Sequence, residues 1–172
     1  TVPLVQMLAA ECMRDRHWTQ IMNDTGKQFT PPYMDKNLKL GEILEHEIHT
    51  CSGDIEDICD ASAKELKIEK TVILTAERWK SIEWLMDLYK ETDVPLLKIA
   101  EEDFEALEAD QLTVQSMLAS RFVKIFETEV LEWQKRLANV ADVFLCVTEI
   151  QRTWSYLEPL FIGSEEVKKE LP

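Results

Sequence analysis

The residues with the clearest potential for chemistry are the two histidines of His46-Glu47-Ile48-His49, which lie close to Cys51. In zinc proteases, two histidines four residues apart on a helix turn both imidazoles toward one metal ion. The spacing here is three residues, which allows a shared helix face, but no pattern of a third ligand follows. We therefore expect solvated or partly packed histidines. A small all-α metal enzyme is an alternative that rests on this region alone.

An acidic run could supply paired carboxylates or calcium ligands. Its members are Glu101, Glu102, Asp103, Glu105, Glu108 and Asp110. A calcium loop of the EF-hand type needs alternating ligands, a central glycine and a terminal glutamate, which this run lacks. We predict that it forms the solvated face of a helix, with its first three members favourably placed in the first turn.

No other pattern in the sequence indicates a catalytic centre. A P-loop, a GxGxxG turn and a GxSxG elbow are all missing, so neither nucleotide binding nor an acyl-enzyme has a basis in these residues. The cysteines Cys12, Cys51, Cys59 and Cys146 form no CxxC pair, which is typical of a reducing compartment. We predict that this segment has no catalytic, cofactor-binding or metal-binding residues.

The elements that position these residues are predicted to be helices. Glycine is missing between Gly53 and Gly163, and only Pro95 and Pro159 interrupt, so long helical stretches are permitted over about 64–91 and 100–158. Two apolar stripes at alternating spacings of four and three residues support them. The first stripe is Ile68, Val72, Thr75, Trp79, Ile82, Met86 and Tyr89, and the second is Phe126, Val130, Trp133, Leu137, Val140, Phe144, Val147, Gln151 and Trp154.

The second stripe predicts a helix from about Arg121 to Glu158, which at 1.5 Å per residue would be about 57 Å long. The fold class that follows is an all-α, elongated helical bundle with one very long helix near the C-terminal end. We divide it into a first helical sub-bundle at 1–92 and a second at 96–172. Gln151 stands where the stripe is otherwise apolar, so its buried amide should bond across to a neighbouring helix or turn.

Shorter elements complete the prediction. Helices are expected from Pro3 to about Asn23, from Leu38 to about His49 and from Asp54 to about Leu66. A turn with a short extended piece is expected from Thr92 to Ile99. Ser164 should cap a last helix.

Breaks in regular structure are where hinges occur. They nominate Thr92–Pro95 and Pro159–Gly163 as bending points.

The charge of the chain restricts its partners. Asp and Glu outnumber Lys and Arg by 33 to 19, which gives a formal net charge of -14. Such a surface repels phosphate backbones and anionic lipids, so we expect neither a nucleic acid nor a membrane as a partner. Microtubule surfaces are also acidic, so this segment should not grip a track. Its longest apolar runs are far shorter than the roughly 20 residues of a membrane helix.

The order and spacing of several motifs resemble one family over almost the whole chain. The N-terminal motifs are Arg14-Asp15-Arg16-His17-Trp18 with Ile21, Leu38 to Leu40, Ala63 to Glu65, and Ile68-Glu69. The C-terminal motifs are Trp133, Val147, Gln151, Trp154, Tyr156-Leu157-Glu158, Leu160-Phe161, Ser164 and Leu171-Pro172. Together they resemble the linker of a dynein heavy chain, N-terminal to the AAA+ ring.

The resemblance is to axonemal heavy chains of the outer arm, most of all to the beta type. It rests on Gln151 to Trp154 and on Phe161 to Glu165, whereas Glu166 to Glu170 departs from the Asp-Ile-Arg run of that type. The resemblance implies a microtubule-based motor of the cytoskeleton, in the axoneme of a cilium or flagellum. ATP and Mg²⁺ would belong to the ring of the full-length protein, outside this segment.

The family further implies partners and a mechanical role. The linker would arch over the AAA+ ring of the same heavy chain and transmit its power stroke to the tail, within a complex of dynein subunits. Microtubules would be bound only through other regions. The alternative is a passive helical scaffold or interaction module, such as a spectrin-like bundle. No second copy of the Trp133 to Trp154 pattern supports that alternative.

Overall fold

The computed structural model describes residues 2–31, 41 and 45–170. Helices make up 72% of the described residues, which confirms the all-α fold class. The strands in the described part are limited to one two-stranded hairpin. In the described segments no helix has the length and apolar character needed to cross a membrane.

Contacts divide the chain into two units. Unit 1 consists of Thr1–Leu74 with Arg121–Phe126, and unit 2 consists of Thr75–Ser120 with Glu127–Pro172. The division into helical sub-bundles at 1–92 and 96–172 stays a prediction.

Unit 1 begins with two helices where one was expected. Helix α1 spans Val2–Leu8 and α2 spans Asp15–Thr25, so the continuous helix predicted from Pro3 is wrong. The chain turns between them and is extended at Arg14, whose backbone N–H donates to Nδ1 of His17 at 3.0 Å. This bond satisfies an amide at the start of α2, which explains why a new helix begins there.

The longest helix of unit 1 continues into the residues of unit 2. After a 3₁₀ turn at Ile48–Cys51, helix α3 spans Ser52–Ser81, so the two helices predicted within 54–91 are one, and it ends earlier than expected. Of the helix predicted over 38–49, residues 38–40 and 42–44 lie outside the described residues. The core of unit 1 consists of Leu4, Leu8, Trp18, Ile21, Phe29, Ile48, Ile55, Ile58 and Cys59.

Unit 2 contains an antiparallel hairpin that the stripe analysis missed. Strand β1 spans Leu85–Leu88 and pairs with β2 at Pro95–Lys98, in a register that places Met86 opposite Leu97. Helical and alternating patterns coincide over such short segments, so the 4-3 spacing alone could not reject a strand. Pairing with β2 decides the outcome. The predicted extended piece after Thr92 is confirmed.

Two helices pack against each other in unit 2. They are α4 at Glu101–Leu118 and α5 at Glu127–Phe161. The very long helix is therefore confirmed, although it begins six residues later than predicted. Residues 119–126 are not helical because Val123 is buried within unit 1 and the Phe122 ring lies under the ammonium of Lys64. Tertiary packing overrides local helix preference there.

The predicted buried face of α5 is the face that packs. Val130, Leu137 and Phe144 are each at most 3% exposed, and Leu107 and Val114 of α4 are equally buried. The tryptophans on the two predicted stripes, Trp79, Trp133 and Trp154, are only partly buried. Trp79 and Trp133 line a cavity of about 530 Å³ together with Trp84.

The chain ends in a short helix, α6, at Glu165–Glu170. The hydroxyl of Ser164 accepts the backbone N–H of Val167 at 3.4 Å, as expected of an N-cap. The predicted cap is confirmed.

Candidate functional site: the contact between the hairpin and the long helix

The hairpin contacts α5 at the one point where a proline lies within that helix. Pro159 has no backbone N–H, so the carbonyl of Ser155, four residues earlier, lacks its usual helical donor. The hydroxyl of Tyr89 donates to this carbonyl oxygen at 3.3 Å. Tyr89 is buried, and its hydroxyl supplies from outside the helix the bond that the sequence of the helix removes.

Lys90 adds an ion pair beside that bond. Its Nζ lies 3.1 Å from Oε2 of Glu158, whose side chain is largely buried, and 4.6 Å from the centre of the Tyr89 ring. Hydrogen bonds to Tyr89 and to Glu158 raise the pKa of the Lys90 ammonium. Lys90 has a φ of 52°, the left-handed region that a non-glycine residue rarely adopts. The backbone of the turn thus takes an uncommon conformation at the residue that pairs with Glu158.

The turn of the hairpin is tied to itself by Thr92. Its hydroxyl donates to the carbonyl of Tyr89 at 2.5 Å and accepts the backbone N–H of Val94 at 3.3 Å. These bonds order the segment that presents Tyr89 to the helix.

The other nominated bending point, Pro159–Gly163, lies at the end of α5. A Cβ at Gly163 would lie 2.6 Å from the Pro159 carbonyl oxygen, which explains the glycine. Bending at either segment stays a prediction.

Gln151 joins the same helix to the second strand. Its side-chain oxygen accepts the backbone N–H of Leu97 at 2.5 Å, and its side-chain nitrogen donates to the carbonyl of Leu97 at 3.0 Å. The amide therefore continues the sheet edge as a further strand would. Gln151 bonds across as expected, but its partner is strand β2 and not the helix or turn that was predicted.

One member of the acidic run does not belong to a solvated face. Asp110 is only 5% exposed. Its carboxylate accepts hydrogen bonds from Nη1 of Arg78 at 2.6 Å and from Nε1 of Trp79 at 2.8 Å. It joins the end of α3 to α4 within unit 2. The prediction for this residue was wrong, and its spacing from Leu107 and Val114, which places it on the apolar stripe, was the available signal.

The rest of the acidic run agrees with the prediction. Glu101, Glu102, Glu105 and Glu108 are exposed, and Asp103 accepts the backbone N–H of Ala100 at 3.1 Å.

Unit 1 has its own polar cluster, built from two of the sequence motifs. The carboxylate of Glu65 on α3 accepts a hydrogen bond from Nη2 of Arg16 at 2.5 Å. It also lies 3.0 Å from Nε2 of His17, and the His17 side chain is almost fully buried. Arg14 pairs with Glu69 one turn further along α3 at 3.0 Å. The motifs that support the family resemblance are therefore in contact.

The histidines His46 and His49 lie apart from these clusters. The His46 ring centre is 6.3 Å from that of Phe29, and His49 is exposed. Within the described residues no group of three or more His, Cys, Asp or Glu side chains is placed to hold a metal ion. The four cysteines are free thiols, and burial raises the pKa of Cys59 to about 11.

The arrangement in unit 2 joins elements that are far apart in the sequence. Three side chains, Tyr89, Lys90 and Gln151, tie the turn of the hairpin and strand β2 to the last three turns of α5. Of these three, only Gln151 could be recognised from the sequence. The bonds of Tyr89 and Lys90 leave no local signal, because their partners are more than 60 residues away in the sequence.

Comparison with known proteins gives a consistent result. The family model described as "Dynein heavy chain, N-terminal region 2" matches residues 1–172. The chain is 47% identical over its whole length to the dynein alpha chain of the flagellar outer arm from Chlamydomonas reinhardtii. It is 37% identical to human dynein axonemal heavy chain 9 and 36% identical to the ciliary dynein beta chain of Tripneustes gratilla, each over 98% of this chain. It spans about 4% of the length of these relatives.

Proposed function

This chain belongs to the dynein heavy chain family, and we propose that it is a mechanical segment of the linker, which transmits the ATP-driven stroke of the AAA+ ring to the tail. The relatives whose names include axonemal, flagellar and ciliary support a place in the axoneme of a cilium or flagellum. The segment itself catalyses nothing. ATP and Mg²⁺ act in other parts of the heavy chain.

The observation that carries this proposal is the tie between the hairpin and α5. A lever must resist bending, and a helix is weakest where a backbone hydrogen bond is missing. In α5 the missing bond is at the carbonyl of Ser155, one turn before Pro159. The Tyr89 hydroxyl donates a hydrogen bond to this carbonyl. Gln151 holds the preceding turn against β2 through two further bonds. We infer that the hairpin braces the long helix against load.

The proposed partners follow from the same role. The segment acts within its own heavy chain, between ring and tail, and inside a complex with other dynein subunits. Microtubules are bound by other regions of the heavy chain, which suits the charge of -14 on this segment.

The experiment uses a complete dynein heavy chain that carries Gln151→Leu. Leucine has a similar size but offers neither a donor nor an acceptor to Leu97, so the brace is weakened while the helix is kept. We expect basal ATPase close to that of the parent motor together with slower microtubule gliding. Gln151→Glu should give an intermediate velocity, because a carboxylate accepts from the Leu97 N–H but cannot donate to its carbonyl.

Arg152→Leu is the matched control, because Arg152 is the exposed neighbour of Gln151 and the same side chain is introduced. It should glide like the parent. Unchanged gliding by Gln151→Leu, with helix content preserved, would contradict the proposed force path and favour a passive scaffold. Loss of ATPase in parallel with gliding would also contradict it, because the defect would then lie in the chemistry.

A further inference from the structure

The two edges of the hairpin differ in a way that the brace does not explain. The N–H of Tyr89 donates to the carbonyl of Val94 at 2.9 Å, so this pair is hydrogen-bonded. In an antiparallel ladder such pairs alternate with pairs whose backbone groups point outward. From the register, Met86–Leu97 and Leu88–Pro95 are the outward pairs.

The outer edge of β2 is closed at both of these positions. Pro95 has no N–H to offer, and Gln151 occupies both the N–H and the carbonyl of Leu97. No further strand can add on that side.

The outer edge of β1 is open. In the part of the chain that the structure describes, β1 pairs with β2 alone, so the outward N–H and C=O groups of Met86 and Leu88 have no strand beside them. Leu85, Met86 and Leu88 are also 65%, 61% and 63% exposed. Proteins often protect such an edge with lysine, proline or a bulge, and β1 has none of these; its one charged residue, Asp87, pairs with Lys98.

A side-chain pocket lies beside this edge. Met86 and Leu97 line an apolar cavity of about 360 Å³ with Val143 and Phe144 of α5. An added strand gains affinity from main-chain hydrogen bonds and specificity from pockets for alternate side chains. The edge of β1 offers both.

The charges around the edge select the chemistry of the added strand. Glu83, Glu91 and Asp93 are exposed and have no ion-pair partner among the described residues. The two lysines of the hairpin are already engaged, Lys90 with Glu158 and Lys98 with Asp87. A second copy of this chain would bring its own charge of -14 and would be repelled. A strand flanked by Lys or Arg would be attracted.

We propose that the open edge of β1 binds an extended segment of the same heavy chain, with apolar side chains at alternate positions and basic residues at its flanks. The relatives are about 25 times longer than this chain, which covers 4% of them, so most of the heavy chain lies outside it. A segment tethered in one polypeptide meets the edge at a high effective concentration. This edge is opposite the one that Gln151 closes, and the proposal does not depend on transmission of force.

The test is photo-crosslinking in the full-length heavy chain within its complex. A benzophenone amino acid replaces Leu85, and in a control chain it replaces Leu112, which is 67% exposed on α4. We expect a dominant cross-link from position 85 to a basic, extended segment of the same polypeptide, and we expect position 112 not to reach that segment. A dominant cross-link to another protein, to a second heavy chain or to an acidic segment would overturn the proposal, and so would the lack of any dominant product.

Two edge variants then probe the mode of binding with the crosslinker still at position 85. Leu88→Pro removes one outward N–H but no bond to β2, so it should abolish the cross-link while the hairpin persists. Leu88→Lys keeps the N–H but places a cation against the basic segment, and it should also abolish the cross-link. Leu112→Lys should leave the cross-link intact. Retention of the cross-link in both Leu88 variants would overturn strand addition at this edge.

Discussion

The hydroxyl of Tyr89 lies 3.3 Å from the carbonyl oxygen of Ser155, which is the carbonyl that Pro159 deprives of its helical donor. A proline inside a helix usually costs about 3 kcal/mol or more, through the lost bond and a clash with the preceding turn. Here the hairpin replaces the lost bond. The Tyr89 hydroxyl and Pro159 are therefore coupled. The contribution of the Tyr89 bond to the free energy of unfolding should depend on whether residue 159 is proline.

The first prediction is a double-mutant cycle on this pair. Tyr89→Phe should lower the free energy of unfolding by about 0.5–1.5 kcal/mol, the usual net value of one hydrogen bond. In a Pro159→Ala background, the new N–H of residue 159 can serve the Ser155 carbonyl, so the same change should cost much less. Urea denaturation of the 172-residue chain measures both values. Tyr156→Phe, at a position 71% exposed, is the control and should be neutral. Equal costs of Tyr89→Phe in both backgrounds would show that the Tyr89 bond and Pro159 are not coupled.

The second prediction concerns the polar cluster of unit 1. Glu65→Ala leaves Nε2 of the buried His17 without its partner and removes a partner from Arg16. Leaving a buried polar group unsatisfied should cost about 1–3 kcal/mol. Asp57→Ala, an exposed carboxylate on the same helix, should cost within about 0.5 kcal/mol. Thermal or urea unfolding of the three proteins gives the comparison, and similar values for the two variants would mean that Glu65 is only a surface charge.

The third prediction uses the cysteines. Because burial raises the pKa of Cys59 to about 11, its thiol stays protonated where an unfolded thiol with a pKa of 9.0 ionises. The stability that this provides is fully present below pH 9 and is lost as the pH rises from 9 to about 11. At pH 8 a thiol reagent should therefore modify the exposed Cys146 quickly and Cys59 slowly. Mass spectrometry of labelled peptides reads both rates. Equal rates in the native chain, with unfolding excluded by circular dichroism, would contradict the burial of Cys59.

The helices and the buried face of α5 could be predicted because they depend on local periodicity. Val130, Leu137 and Phe144 recur at the helical period, and no glycine interrupts them. The failures share a different cause. Residues 85–88 form a strand because of β2, and residues 119–126 leave the helix because Val123 is buried in unit 1. Neither interaction leaves a periodic signal in the segment that it reshapes.

Only part of the candidate site could be predicted from the sequence, for a related reason. Gln151 could be recognised because a polar side chain on an apolar stripe demands a partner. Asp110 met the same criterion and was missed because it ends a run of exposed carboxylates. Tyr89 could have been found only by asking what satisfies the carbonyl four residues before Pro159. The sequence shows that a donor is needed there, but it does not show which residue provides it. Only the fold brings the Tyr89 hydroxyl to the Ser155 carbonyl.

The last prediction concerns the stiffness of α5 itself. Lys135, Asn139 and Asp142 are exposed on this helix, so they can be changed without removing the buried face. Glycine costs about 1 kcal/mol relative to alanine at each helical position and promotes kinks. Replacing all three with glycine in a complete motor should soften the lever, whereas replacing all three with alanine should not. We expect near-normal basal ATPase in both motors, with slowed microtubule gliding only in the glycine motor. If the glycine variant folds, shows faster amide exchange along α5 and still glides at full speed, then this helix does not transmit the stroke and the proposed mechanical role is wrong.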